Sequence, residues 1–330
     1  MSPAQIAPKA LEAEPVPAVE ADVAAEAAVA PVGESRALRQ VCGLAAELER
    51  RYQDKLVLQT ALSRSLVSFR ANENRAVYRW FKYKEAFSAE LVEFLLREYW
   101  VSRGLLLDPF AGVGTTLFAA GAFGMRAEGI ELLPIAQRVI ATRQLTAGAL
   151  RPGDVAALAA WAAKRPWEKS PGARPINELR ITKGAYPAKT AEAMGRFLAA
   201  SEQENDRVRA LLFFALLCVL EAISFARKDG QYLRWDYRSG RRQGKKPFAK
   251  GEIQSFEKAV CAKLEQIVTD LRAAQPSRDS PAGAQARADI TLRNGSCLEI
   301  LPELASEAYD CIVTSPPYCN RYDCSILLAR

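Results

Sequence analysis

Histidine is absent from all 330 residues. That absence excludes a Ser-His-Asp triad, a Cys-His nucleophile pair and any His-ligated zinc. Chemistry must run through carboxylates, amides, hydroxyls, thiols, lysine, tyrosine or the backbone. Cys-x-x-Cys spacing is absent too. The seven cysteines (Cys42, Cys218, Cys261, Cys297, Cys311, Cys319 and Cys324) are scattered and odd in number. Cys319 and Cys324, with no second pair, are a weak metal signal, so no metal is expected. Free thiols in a reducing compartment are expected instead, and with them a cytoplasmic location. The start lacks a basic segment followed by an apolar core, so no signal peptide is expected. The longest apolar run, Leu211 to Leu220, has ten residues. A bilayer span needs about 20. This run reads as a buried core helix closed by Glu221, and no membrane partner is expected.

What is present is a chain with 49% hydrophobic residues, enough for one or two packed domains. Lys and Arg number 45 against 38 for Asp and Glu, a net charge of +7, with an isoelectric point of about 9.0. A basic balance suits a polyanionic partner without requiring one.

Four segments follow from pattern. Residues 1–35, rich in Ala, Pro, Glu and Val, read as a disordered tail. Residues 36–150 begin helically, with Leu38, Val41, Leu44, Leu48 and Tyr52 near one face, and Ser88 is placed to cap a further helix. A strand at Leu105–Leu107 then ends in Asp108, a Gly-rich turn opens a helix from Thr115 to Gly124, and a second strand runs from Arg126 into Glu131. This order predicts half of a doubly wound α/β sheet. Residues 151–285 break the rhythm as a mostly helical insert with basic loops. Alternation resumes in 286–330, with strands expected at Ile290–Leu292 and Tyr309–Val313 and a short helix at Leu298–Leu304.

The first chemical motif is Asp108-Pro109-Phe110-Ala111-Gly112-Val113-Gly114-Thr115-Thr116. Glycines at a strand-to-helix turn let the backbone approach a ligand, and the free N–H groups there favour an anion. A phosphate-binding P-loop needs a lysine that is missing, and a dinucleotide fingerprint wants glycine where Leu117 stands. Glu131, ending the next strand, can accept from two ribose hydroxyls. The alternative is an ordinary glutamate after a strand.

The third motif, Asp310-Cys311-Ile312-Val313-Thr314-Ser315-Pro316-Pro317-Tyr318, is a short strand running into a proline-stiffened loop. A plain proline turn is the alternative. The insert carries a fourth feature, Arg227 to Lys250, where basic residues alternate with aromatics among glycines. Read as a flexible loop, it suits phosphate contact through Lys228, Arg234, Arg238, Arg241, Arg242, Lys245 and Lys246. The alternative is a solvated basic loop.

Taken together, the Asp-Pro-Phe-led glycine turn and the Ser-Pro-Pro-Tyr loop resemble motifs I and IV of site-specific DNA methyltransferases that methylate exocyclic amines, in the form typical of cytosine-N4 enzymes. Asn294-Gly295-Ser296-Cys297 resembles motif III, with Ser296 where the family often has Asp. Arg79 to Ser88 resembles motif X. The resemblance implies a Rossmann-like S-adenosylmethionine-dependent methyltransferase sheet and S-adenosyl-L-methionine as cofactor. Asp108, Phe110, Gly112, Gly114, Thr115, Thr116, Glu131, Ser296 and Cys297 would hold it. Ser315, Pro316, Pro317 and Tyr318 would be the catalytic loop.

An exocyclic amine is a poor nucleophile because its lone pair is delocalised into the ring. Ser315 Oγ and the Pro316 carbonyl would accept from it, in a loop held rigid by two prolines. Tyr318 would stack on a flipped base. Cytosine-C5 methylation would need a Pro-Cys pair, and none occurs. Adenine-N6 methylation stays open, as do RNA and protein-glutamine amino-methylases with related loops.

The implied partners are double-stranded DNA, a cognate restriction endonuclease in a restriction-modification system, and a second polypeptide. The last follows from a departure: the family continues with three more strands after motif IV, so truncation is expected here. A broken reading frame, one half of a split enzyme and a non-enzymatic binding remnant all remain open.

Overall fold

In the computed structural model the described residues are 36–55, 59–83, 85–99, 101, 103–229, 232–242, 246–274 and 289–316. The expected tail and residues 317–330 lie outside them. The chain divides into two compact units, residues 1–59 and 60–330.

The described part of the first unit is dominated by helix α1 (Arg36–Tyr52). Its Val41, Leu44, Leu48 and Tyr52 repeat at helical spacing and are exposed.

The second unit is mixed α/β. Helix α2 (Ala89–Glu98) starts at Ser88, whose side chain accepts from the Leu91 N–H at 3.0 Å. Strand β1 (Leu105–Asp108) leads through the glycine turn to α3 (Thr115–Ala122), β2 (Arg126–Glu131) and α4 (Pro134–Gly148). The insert supplies α5 (Pro152–Lys164), α6 (Ala188–Ser201), α7 (Asp206–Val219), strands β3 (Ala226–Asp229) and β4 (Tyr232–Trp235), and α8 (Phe256–Ala273). Strand β5 (Ile290–Asn294), the short helix α9 (Cys297–Ile300) and β6 (Cys311–Ile312) follow.

Among the described residues, β5, β2, β1 and β6 form a parallel sheet in that order. β1 is central. Leu106 pairs with Ala127 on one side and Cys311 on the other, and Leu107 with Glu128 and Ile312. The chain direction across the sheet reverses beside β1, so the C-terminal ends of β1, β2, β5 and β6 open onto one crevice. β5 runs two residues longer than expected and β6 is three shorter. α9 gives way after Ile300 to a 3-10 turn, where Pro302 cannot donate to a continuing helix.

Two apolar clusters hold the unit together. One joins Leu106, Leu117, Ala120 and Ile140 to Val92 and Leu96 of α2. The other fills the insert and reaches the sheet layer through Val113 and Val139. At its centre Trp167 meets Phe197 edge-to-face at 5.2 Å between centroids, and Phe197 meets Phe256 at 5.4 Å. The Leu211–Leu220 run forms most of α7, with Leu211, Leu212, Phe214 and Leu216 buried as expected.

The basic segment differs from the flexible loop expected of it. β3 and β4 pair antiparallel, with Ala226 opposite Trp235 and Asp229 opposite Tyr232. Buried Asp236 follows, accepting from the Arg238 and Lys250 backbone N–H groups at 2.9 and 2.6 Å. Aromatic residues between the charges make the difference: they give the segment something to pack. The Arg234 guanidinium lies 4.3 Å from the Phe248 ring centroid and that of Arg241 3.5 Å from Trp235.

Asp270 of α8 anchors the segment ahead of the sheet. It accepts from the Trp80 indole at 2.7 Å, Arg79 Nε at 3.0 Å and the Val77 N–H at 3.4 Å. Val77 sits at φ +69°, strained for a β-branched residue. Replacing Asp270 with Ala strands the indole N–H of Trp80, which is 1% exposed. The expected loss is about 2–4 kcal/mol of unfolding free energy, read by urea denaturation. A loss under about 0.5 kcal/mol, the scatter of an ordinary surface change, would mean the anchor contributes nothing.

Candidate cofactor and target-base site

The turn after β1 is stitched to its neighbours by its own backbone. The Ala111 N–H donates to the Ile130 carbonyl at 3.0 Å, tying the turn to β2. Gly114 stands at φ +79°, and a Cβ there would come within 2.9 Å of Ile140. Glycine is therefore required both by conformation and by space. Gly112, at φ +53°, is required by conformation, and a Cβ there would lie 3.5 Å from the Tyr83 ring. Behind the turn, fully buried Arg143 donates to the Val113 carbonyl at 2.7 Å and the Tyr78 carbonyl at 3.4 Å. Burial pulls its pKa down to about 10, so it remains a cation at neutral pH.

Asp108 closes the front of the turn. Its Oδ1 accepts from the Phe110 N–H at 3.1 Å and from the Thr314 hydroxyl at 2.7 Å. The second bond spans 206 positions and joins the end of β1 to the loop after β6. Burial pushes the Asp108 carboxyl above its ordinary range, against the pull of these donors. At the end of β2, Glu131 Oε1 accepts from the Leu133 N–H at 2.7 Å. Burial raises this carboxyl also. The Gly295 N–H donates to the Glu131 carbonyl at 3.0 Å, which brings the loop after β5 alongside. Ser296 caps α9, its side chain accepting from the Leu298 N–H at 3.2 Å.

These loops enclose a cavity of about 610 Å³. That is ample for a nucleoside-sized ligand. Of the expected cofactor residues, Asp108, Phe110, Gly112, Thr115, Glu131, Ser296 and Cys297 line it. Gly114 instead turns the chain into α3, and Thr116 is buried within that helix. Ser315 and Pro316 line the same cavity, whereas Pro317 and Tyr318 lie outside the described residues.

The expected DNA-contacting residues divide. Arg242 and Lys246 are exposed. Arg238 pairs with Asp236 at 2.7 Å. Arg241 donates to the Ile181 and Lys183 carbonyls at 3.2 and 2.7 Å. Arg234 lies over Phe248, and Lys245 falls outside the described residues. Lys228 stands apart from all of these: it lines the cavity, its Nζ 2.6 Å from Glu85 Oε1.

Glu85 was not singled out from sequence. Its place between Tyr83 and the Ser88 cap is a local hint. Nothing local connects it to Lys228, 143 positions away. Among the described residues no helix is long and apolar enough to cross a membrane.

Comparison with known proteins adds to this geometry. Residues 42–141 match a family model described as DNA methylase, of the N6/N4 group. The chain is 48% identical over 277 residues to the Type II methyltransferase M.AvaI of Nostoc sp., covering 84% of this chain and 57% of that protein. A protein of the same name from Anabaena variabilis matches equally. The Type II methyltransferase M.BsoBI of Geobacillus stearothermophilus is 34% identical over 296 residues, covering 84% of this chain and 56% of its own length. No solved structure matches. Residues 42–141 are thus similar to N6/N4 DNA methylases, and the chain is similar over most of its length to Type II methyltransferases while spanning little more than half of theirs.

The raised Asp108 carboxyl has a consequence for stability. A carboxyl with a higher pKa folded than unfolded binds more protons in the native state. Its stabilising contribution is full below the ordinary carboxylate range and is lost as pH rises through the folded value. Asp108→Asn keeps an acceptor for Phe110 and Thr314 and removes the titration. The free energy of unfolding of the native protein, relative to this variant, should therefore fall as pH rises from about 4 to about 8. Parallel profiles in urea titrations across that span would show that Asp108 does not titrate abnormally.

Proposed function

We propose that this chain transfers a methyl group from S-adenosyl-L-methionine to the exocyclic N4 amine of cytosine in double-stranded DNA, as the modification component of a restriction-modification system. The carrying observation is a shared cavity: the glycine turn after β1, Glu131 after β2 and Ser315-Pro316 after β6 all line it. Ligand and reacting group would thus meet at one place, although their motifs lie about two hundred residues apart. The relatives' printed names supply the reaction class, and the Ser-Pro-Pro-Tyr form supports cytosine N4.

The residues present fit the cofactor. Thr115 lines the cavity, and its buried Oγ1 has no hydrogen-bond partner among the described residues. A polar atom so placed calls for a ligand group to complete it. Phe110 and Leu133 give apolar walls for an adenine ring, and Glu131 has a second carboxylate oxygen for ribose hydroxyls. When bound, the cofactor supplies a methyl group on a sulfonium centre.

The chain's own part is then orientation. Ser315 Oγ and the Pro316 carbonyl would accept from the amine's two N–H bonds and turn its lone pair out of conjugation. Pro316 keeps that acceptor fixed, so no reorganisation is needed during reaction. The Arg227–Lys250 segment would contact DNA phosphates through its exposed Arg242 and Lys246 and the neighbouring Lys245, while the target base flips into the cavity.

The test is product identity. The chain is incubated with methyl-labelled S-adenosylmethionine and mixed-sequence DNA, and the digested nucleosides are separated. N4-methylcytosine is expected. N6-methyladenine would keep donor and site but overturn the base assignment. No labelled nucleoside would overturn transfer by this chain. Ser315→Ala should lower kcat about 10²–10³-fold, as loss of one preorganised hydrogen-bonding group does elsewhere. Cofactor affinity, measured separately by calorimetry, should be unchanged.

A further inference from the structure

Lys228 belongs to the insert hairpin, far in sequence from both the glycine turn and the Ser-Pro-Pro-Tyr loop. Yet among the described residues it is the one cation lining the cavity. It is paired there with Glu85 at 2.6 Å, and both side chains are under one-third exposed. Glu85 sits two residues after Tyr83, whose ring packs against Gly112. The pair and the glycine turn line the same cavity. The first residue of α3, Thr115, lines the same cavity. It is 4% exposed, and its Oγ1 has no partner among the described residues. A cation, a carboxylate, an unsatisfied hydroxyl and a helix N-terminus thus border one ligand space.

We propose that Lys228, Glu85 and Thr115 form the receptor for a ligand's α-amino-acid group. The Lys228 ammonium and the Thr115 hydroxyl take the carboxylate, and Glu85 takes the α-ammonium. This rests on the S-adenosylmethionine reading above and assigns the zwitterionic end of that molecule.

The charge pattern favours a zwitterion over a simple anion. A carboxylate brought to Lys228 alone would also face Glu85, a like charge. A phosphate would face it with more charge still. A zwitterion presents an ammonium one carbon from its carboxylate, so each member of the ion pair exchanges its present partner for a ligand group of the same sign. Neither half-buried charge is left unpaired. The helix N-terminus of α3 adds to the preference for the carboxylate at Thr115.

The experiment compares two nucleosides by calorimetry on the full chain. S-adenosylhomocysteine carries the amino-acid group, and 5′-methylthioadenosine lacks it. The unsubstituted protein should favour the first. Lys228→Gln should weaken it by about 10–100-fold, the loss of a charge-assisted contact, and leave 5′-methylthioadenosine within about twofold of its original affinity. Glu85→Gln should do the same. Lys228→Arg should recover most of the loss, since it restores the charge.

Equal weakening of both nucleosides by Lys228→Gln would make Lys228 a structural support and overturn the assignment. Unchanged affinity for both, with weaker salt-dependent DNA binding, would make it a phosphate contact and overturn it equally. If the unsubstituted protein binds neither nucleoside, the donor reading itself fails, a result separable from the other two.

Discussion

Strand β1 is hydrogen-bonded on both sides, and the position of nearly every group in the cavity depends on those two registers. Leu106 and Leu107 each face a partner on β2 and a partner on β6. A slip of one residue in either ladder would turn one strand's side chains to the opposite face of the sheet. It would also carry Thr314 or Glu131 about 3.3 Å along the strand axis. The Thr314–Asp108 hydrogen bond of 2.7 Å would not survive that shift. Burial of β1 enforces the register: Leu106 and Leu107 are 0% and 3% exposed, so no alternative pairing leaves the core filled. A parallel ladder cannot be closed by a tight turn. Here the connection from β2 to β5 contains the entire insert, so the β2–β5 ladder joins positions far apart in the chain.

The insert is consequently part of the sheet's foundation. Asp270 of α8 fixes Val77, Arg79 and Trp80, and Lys263 of the same helix donates to the Trp80 carbonyl at 2.9 Å. Those residues lead directly into Tyr83 and Glu85 at the cavity. On the other side of the turn, Arg143 is enclosed by the Tyr78 and Phe118 rings, 5.0 and 5.7 Å from its guanidinium. Its two carbonyl acceptors belong to the glycine turn and to the Val77–Trp80 stretch. One buried cation thus binds the glycine turn to the segment that the insert holds. A buried arginine costs desolvation energy, and two carbonyls with two aromatic faces offset much of that cost.

What was legible in the sequence is what local chemistry decides. The Ser88 cap, the Leu105–Asp108 strand, the turn into α3 and the strand ending at Glu131 each announce themselves within ten residues. That the two distant loops meet at one crevice was implied only by the resemblance, whose family sheet sets their two strands side by side. The illegible parts are pairings between distant side chains. Arg227 to Lys250 read as a flexible loop because its glycines and charges are local signals, whereas its order comes from Phe248 under two guanidinium groups and from Asp236 binding back to Lys250. Lys228 read as one basic residue among seven. Its separation from them follows from Glu85, on a part of the chain 143 positions earlier. The two-residue extent of β6 was also hidden, since an apolar run does not say how much of itself will find a partner.

The coupling between the two halves of the cavity runs through very few bonds. Thr314 precedes Ser315, the proposed acceptor for the target amine, and its hydroxyl ends on Asp108, the residue that opens the glycine turn. The Val313 N–H donates to the Leu107 carbonyl at 3.2 Å, one residue before Asp108. Two hydrogen bonds at adjacent positions therefore fix both the height and the rotation of the loop that carries Ser315. The same Asp108 oxygen receives the Phe110 N–H, so the cavity wall and the loop that carries Ser315 are referenced to a single atom. The proposed direct methyl transfer would demand such a reference, because carbon must travel from one bound molecule to another along a line set by both. A group misplaced by about 1 Å at this kind of junction can cost about a hundredfold in rate. Burial of Asp108 serves that demand: with little water to compete for its oxygen, the shared contact keeps both loops in one position.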